Sequence, residues 1–183
     1  MLRIVEHLSQ SYAPRTAFNA KSAELTAAFA IDFSTRGEKL TRKLAGDEHY
    51  VALPLRDHAI DNARKLYSAV RRTACKTLNV AGNGIYTLVP AGLSQADCTL
   101  HVYDVIRKVH EHLPLDRIIS GGQTGIDLAG GIAGAALGLD VVMTLPAGFI
   151  QRGVHGKDMR HMESEIRDQV TEGLEVLRQH RHF

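Results

Sequence analysis

A parallel sheet covered by helices is the architecture this sequence predicts, and three observations predict it. Residues 50–181 repeat one pattern: a short apolar run, a turn, then an amphipathic stretch. Several of the turns are rich in glycine, which suits sharp strand-to-helix connections. The connections are short. Strand–helix alternation of this kind gives a parallel sheet with helices on both faces. Right-handed crossovers then make a Rossmann-like open, mostly parallel sheet the expected α/β solution.

Residues 1–49 are less regular. The run from Phe29 to Phe33 alternates and reads as a strand, whereas 7–25 and 34–49 are polar with scattered apolar groups. This segment is expected to be an irregular N-terminal arm or cap packed on a main domain of residues 50–183. The first strand of that domain is Tyr50-Val51-Ala52-Leu53-Pro54. Ile60, Ala63, Tyr67 and Val70 follow at helical spacing. The next strand, 77–81, is closed by Gly82-Asn83-Gly84. An amphipathic helix spans about 94–112, with Val102, Ile106, Val109 and Leu113 on one face. Ser94 suits its N-cap, with Asp97 three positions on as a capping box. Arg117-Ile118-Ile119-Ser120 is the third strand, followed by Gly121-Gly122-Gln123-Thr124-Gly125. A helix of small residues covers 126–137 and stops at Gly138. The strand 141–145 ends at Pro146. A last helix, about 162–179, aligns Ile166, Val170, Leu174 and Leu177, and 180–183 reads as a frayed end.

Composition narrows the functions open to the chain. Its 183 residues suit a domain of ordinary size, and 44% apolar with 23% charged residues is ordinary for a soluble protein. A formal net charge of +2 gives no field for non-specific nucleic-acid or membrane binding. No apolar run approaches a membrane span, and the first fifteen residues do not resemble a signal peptide. Cys75 and Cys98, both placed in helical stretches, read as buried thiols rather than a disulfide framework. A soluble cytoplasmic protein is expected. None of the ten histidines makes a tight metal-ligand spacing, so neither a metal nor a cofactor is expected.

Ligands of open parallel sheets bind beyond the carboxyl ends of the strands. Three segments end strands and can meet there. In the central one, the glycines of 121–125 let backbone N–H groups approach a ligand, and the helix start adds partial positive charge. Ser120 borders this anion-binding loop, Gln123 and Thr124 add polar groups, and Asp127 lies in the first helical turn. Asp127 has three readings: helix cap, ribose ligand, or catalytic carboxylate. In the second segment, Gly82, Asn83 and Gly84 form a tight turn, Asn83 can read a base or ribose edge, and Tyr86 can stack on a base. The third, Leu145 to Arg152 with the loop on to Asp158, brings Gly148 and Arg152, whose guanidinium can pair a phosphate. Apart from these, Glu38 lies in a charged stretch, 34–43, that reads first as a solvated helix face. Placed near Asp127, it would complete a carboxylate pair able to stabilise an oxocarbenium-like transition state.

The string Ile119-Ser120-Gly121-Gly122-Gln123-Thr124-Gly125-Ile126-Asp127 resembles the Ser-Gly-Gly-Gln-Thr-Gly-Val-Asp signature of the molybdenum carrier family. That family belongs to the DprA/LOG-like (SLOG) Rossmann superfamily. Pro146-Ala147-Gly148 is similar to the family's Pro-Lys-Gly segment, with Ala147 in place of Lys. The resemblance is sharp over 117–158 and loose over 77–116. It implies a nucleotide-binding Rossmann-like fold, and a homodimer by analogy. The superfamily includes phosphoribohydrolases that cleave the N-glycosidic bond of nucleoside monophosphates. Their motif carries Glu where this chain has Leu128, with Asp127 one residue earlier.

Two functions therefore stand side by side. One is hydrolysis of the N-glycosidic bond of a nucleotide or nucleotide-derived phosphate, with Asp127 and Glu38 as carboxylates. The other is a non-catalytic sensor, carrier or sponge of a nucleotide-like ligand. DprA-like DNA binding is the least favoured, because carboxylates interleave the basic residues.

Overall fold

The computed structural model describes residues 1–180; residues 181–183, with most of the expected frayed end, lie outside the described residues. The elements in chain order are β1 (Leu2–Glu6), α1 (Tyr12–Lys21), β2 (Leu25–Ala30), α2 (Arg36–Ala45), β3 (Tyr50–Pro54) and α3 (Ala59–Thr73). They continue as β4 (Thr77–Gly82), α4 (Ile85–Leu88), α5 (Gln95–His110), β5 (Arg117–Ser120), α6 (Ile126–Ala136) and β6 (Asp140–Leu145). A short hairpin of β7 (Gln151–Arg152) and β8 (Asp158–Met159) precedes α7 (Glu163–His180). Among the described residues, six parallel strands in the order β1-β6-β5-β4-β2-β3 form one sheet flanked by seven helices, a Rossmann-like α/β fold.

From β3 onward the strands and helices that the sequence predicts lie within a residue or two of their expected places; α4 and the β7–β8 hairpin are additions to them. The capping box forms as its spacing predicts: Ser94 Oγ accepts from the Asp97 N–H while the Asp97 carboxylate accepts from the Ser94 N–H. Cys98 lies in α5 and Cys75 in the turn after α3 rather than in a helix; both are buried thiols.

The N-terminal fifty residues depart from expectation. Instead of an irregular arm they supply β1 and β2 to the sheet and two helices to one of its faces. All six residues of β2 are buried, and the strand lies between β3 and β4. Its sequence, Leu25-Thr26-Ala27-Ala28-Phe29-Ala30, is small and apolar on both faces, so the alternation that marks a half-exposed strand is absent. The alternating run 29–33 straddles the end of β2 and the turn after it.

The two faces differ in chemistry. Leu25, Ala27, Phe29, Leu78, Val80, Ile118, Val141 and Met143 point into the main apolar core, under α3, α5 and α6. Their neighbours Thr26, Ala28, Asn79, Ile119 and Thr144 point the other way, since alternate strand residues take opposite faces. On that second face lie α1 and α2, which contact each other, with α2 against β2 and β4. The order in which strands are added reverses between β2 and β4: β2 leads outward to β3, and β4 leads the opposite way to β5 and β6. A crevice forms beyond the carboxyl ends of strands at such a reversal, and ligands of open sheets bind there.

Candidate functional site

Asp127 stands in the first turn of α6, beside the reversal point. It is 7% exposed, and its Oδ2 accepts from Arg15 Nη1 at 2.9 Å. Burial raises the Asp127 pKa on balance, and the Arg15 guanidinium and the N–H groups of Gly82 and Gln123 offset only part of the rise. A buried carboxylate is tolerated only with such partners. Asp127 is thus more than a surface helix cap: it ties α6 to β4, to the glycine loop and to α1.

Gly121 exists in this form because of that ion pair. A Cβ at this position would lie 1.4 Å from Arg15 Nη1 and 2.0 Å from Asp127 Oδ2. Only glycine leaves room for the pair at the end of β5. Gly125, with φ of 96°, turns the chain into α6, and a Cβ there would meet Asn83 O at 2.6 Å.

Glu38 comes to the same place from α2. Thr35 caps that helix by accepting from the Glu38 N–H, and the Glu38 side chain turns inward with only 3% of the residue exposed. Its Oε2 is buried without a hydrogen-bond partner. Burial raises its pKa to about 8, and the charges of Asp127 and Asp32 add to the rise. The solvated-face reading of 34–43 holds for Arg42, which pairs with Asp47 at the surface, but not for Glu38 or Thr41, which are buried.

Several expected ligand groups are occupied in holding the site's frame. Asn83 Oδ1 accepts from the N–H groups of Ile31 (2.9 Å) and Asp32 (3.1 Å), and its Nδ2 donates to Asp32 O, stitching β4 to β2 across the reversal. Gln123 donates to Ile150 O at 2.6 Å and accepts from the Arg152 N–H at 2.9 Å. Thr124 donates to Arg152 O at 2.6 Å. Ser120 Oγ donates to Asp127 O and accepts from the Gly122 N–H. Gly122 O accepts from Gln151 Nε2, and Gly125 exchanges two bonds with the Gln95 side chain. Gly84 bridges to Gly125, and Gly82 packs so closely that a Cβ would meet Phe29 O at 2.0 Å. Gly148 lies farther along the same carboxyl edge, by the ends of β1 and β6, its N–H donating to Glu6 and its C=O accepting from the His161 N–H.

Arg152 and Tyr86 come together with Asp158, from the same third segment, and with Tyr12, which sequence reasoning missed. The Arg152 guanidinium binds Asp158 through two bonds, at 2.7 and 3.1 Å. It lies 5.0 Å from the Tyr12 ring centre and 5.7 Å from that of Tyr86. Tyr12 also donates to Asp158 at 2.8 Å. Arg15, too, was missed. The signal available was the spacing of Tyr12, Arg15 and Asn19, which puts all three on one face of a helix. Reading 7–25 as an arm hid it.

Among the described residues no group of three or more His, Cys, Asp or Glu is placed to hold a metal ion, and no helix is long and apolar enough to cross a membrane. The two cysteines lie in the turn before β4 and inside α5, with burial pushing the Cys98 thiol up to about 12, so no soft-ligand set for molybdenum is assembled from them. Comparison with protein-family models, curated proteins and solved structures finds no match for this chain.

Proposed function

We infer that the chain binds a nucleotide or nucleotide-derived phosphate at the carboxyl edge of the sheet, against the 121–125 loop, and hydrolyses its N-glycosidic bond. The observation that carries this reading is the pair of buried carboxylates, Glu38 and Asp127, with different partners. Glu38 has an unpartnered oxygen and a pKa near 8, so it holds a proton at neutral pH. Asp127 has a cation and two N–H groups to support its charge. Two carboxyl groups in contrasting surroundings divide the roles of acid and anion. The resemblance of residues 119–127 to the SLOG loop supports the same ligand class.

Chemically, Glu38 donates its proton to the leaving base as the C1′–N bond breaks, the bonding pair departing with the base. Asp127 stabilises the positive charge that develops on the ribosyl ring. Water adds to C1′ and returns a proton to Glu38, so the products are free base and ribosyl phosphate. Incubation with nucleoside 5′-monophosphates, followed by mass spectrometry of released base, tests this. Glu38→Gln and Asp127→Asn are each expected to retain binding and lose base release by roughly 100-fold or more. Full activity in both variants rejects the assignment.

The Arg15–Asp127 pair favours a second reading, because it neutralises Asp127 and would suit a binder without turnover. That reading predicts a retained, unaltered nucleotide in the same experiment.

A further inference from the structure

We propose that Arg15 is the anion-binding group of this site, and that a ligand phosphate takes it from Asp127, uncovering the carboxylate only when a phosphorylated ligand is bound. The inference rests on the nucleotide reading above. It follows from hydrogen bonds the buried groups leave unmade. The Arg15 side chain is 9% exposed and spends Nη1 on Asp127, yet its Nε is buried without a partner. A guanidinium offers five N–H donors in a planar fork matched to phosphate oxygens. Asn19, one turn further along α1, leaves Oδ1 unpartnered, and Glu38 on α2 leaves Oε2 so. Native proteins bury few such atoms, and a group of them calls for an explanation. A polar ligand between α1, α2 and the strand ends supplies the missing partners.

Several of the loop's N–H groups are already committed. The Gly122 N–H donates to Ser120, Gly125 to Gln95 and Ile126 to Asn83, while the Gln123 N–H supports Asp127. Arg152 is clasped by Asp158 through two bonds. Arg15 spends one donor on a single carboxylate oxygen. It lies against the bare backbone of Gly121, where a Cβ would be 2.6 Å from its Cζ. A phosphate dianion offers it more acceptors than Asp127 does, and Asp127 keeps the N–H groups of Gly82 and Gln123 when Arg15 leaves.

The test is calorimetric binding of common nucleoside 5′-monophosphates, their nucleosides and inorganic phosphate to the intact protein. It compares wild type with Arg15→Gln, Arg15→Lys and Asp127→Asn, folding of each being checked by circular dichroism. Arg15→Gln is expected to weaken monophosphate binding by roughly 10- to 100-fold, leaving nucleoside binding within about a factor of three. Arg15→Lys should keep part of the preference. Asp127→Asn should bind inorganic phosphate more tightly than wild type, because the competitor for the guanidinium has lost its charge; a merely structural Arg15 would not give this result. Asp127→Asn carries the test if Arg15→Gln fails to fold. An undiminished monophosphate preference in folded Arg15→Gln, or weaker phosphate binding in Asp127→Asn, overturns the role of Arg15 while the nucleotide reading stands. Wild type that binds neither monophosphate nor nucleoside overturns both.

Discussion

Glu38 shows what a single buried acid does to the stability of this chain. Its folded pKa of about 8 lies above the ordinary value of 4.5, with burial as the main cause and Asp127 and Asp32 adding to it. Tyr50 shares the same surroundings, its own pKa raised by burial and by the Glu38 charge. The folded chain therefore holds a proton that the unfolded chain releases as pH climbs past 4.5. The stabilisation is complete below that value and is lost as pH rises through about 8. Thermal melts between pH 5 and 9 should show a fall on the order of a few kcal/mol that Glu38→Gln removes. Base release should decline over the upper part of the same window as the acid deprotonates; a flat profile through pH 9 would oppose the acid role. At this scale the sequence was only partly legible. The glycine string located the loop and Asp127, because backbone approach and helix start are local properties. The roles of Asn83, Gln123 and Thr124 were not visible, since their partners come from segments far along the chain.

Elements with one apolar face were readable, and those without one were not. Helix α5 carries both its stripe and its cap in local sequence, so both are legible from its residues alone. Ser94→Ala should cost about 1 kcal/mol, measured by chemical denaturation, by leaving the first turn of α5 without its acceptor. Helix α1 illustrates the opposite case. Its sequence, Tyr-Ala-Pro-Arg-Thr-Ala-Phe-Asn-Ala-Lys, buries Arg15, Asn19 and Ala20, so its inward face is largely polar. A hydrophobic pattern cannot reveal a helix that meets its sheet through arginine and asparagine. Strand β2 fails for the converse reason, being small and buried on both faces. Polar contact on the α1–α2 face and apolar contact on the other are two uses of one sheet: the second builds the core, and the first builds the candidate site.

For the whole molecule, the consequence is that residues 1–49 cannot be an appendage. They supply the β1 edge, paired along β6 from Leu2 to Glu6, and the internal strand β2. They also carry Arg15 and Glu38. A chain beginning at residue 24 would expose the edge of β6 and strip α1 from the polar face of the sheet. It should lose the cooperative thermal transition of the full chain by circular dichroism, whereas a removable arm would leave that transition in place. The parallel order and the reversal between β2 and β4 then explain why residues so distant in sequence meet at one edge. That Glu38 and Asp127 act there on a nucleotide is the central claim, and native mass spectrometry of the protein with a mixed pool of nucleoside 5′-monophosphates tests it most directly. At least one nucleotide is expected to disappear, with matching release of its free base. A pool that stays intact, with no nucleotide bound to the protein, would contradict it.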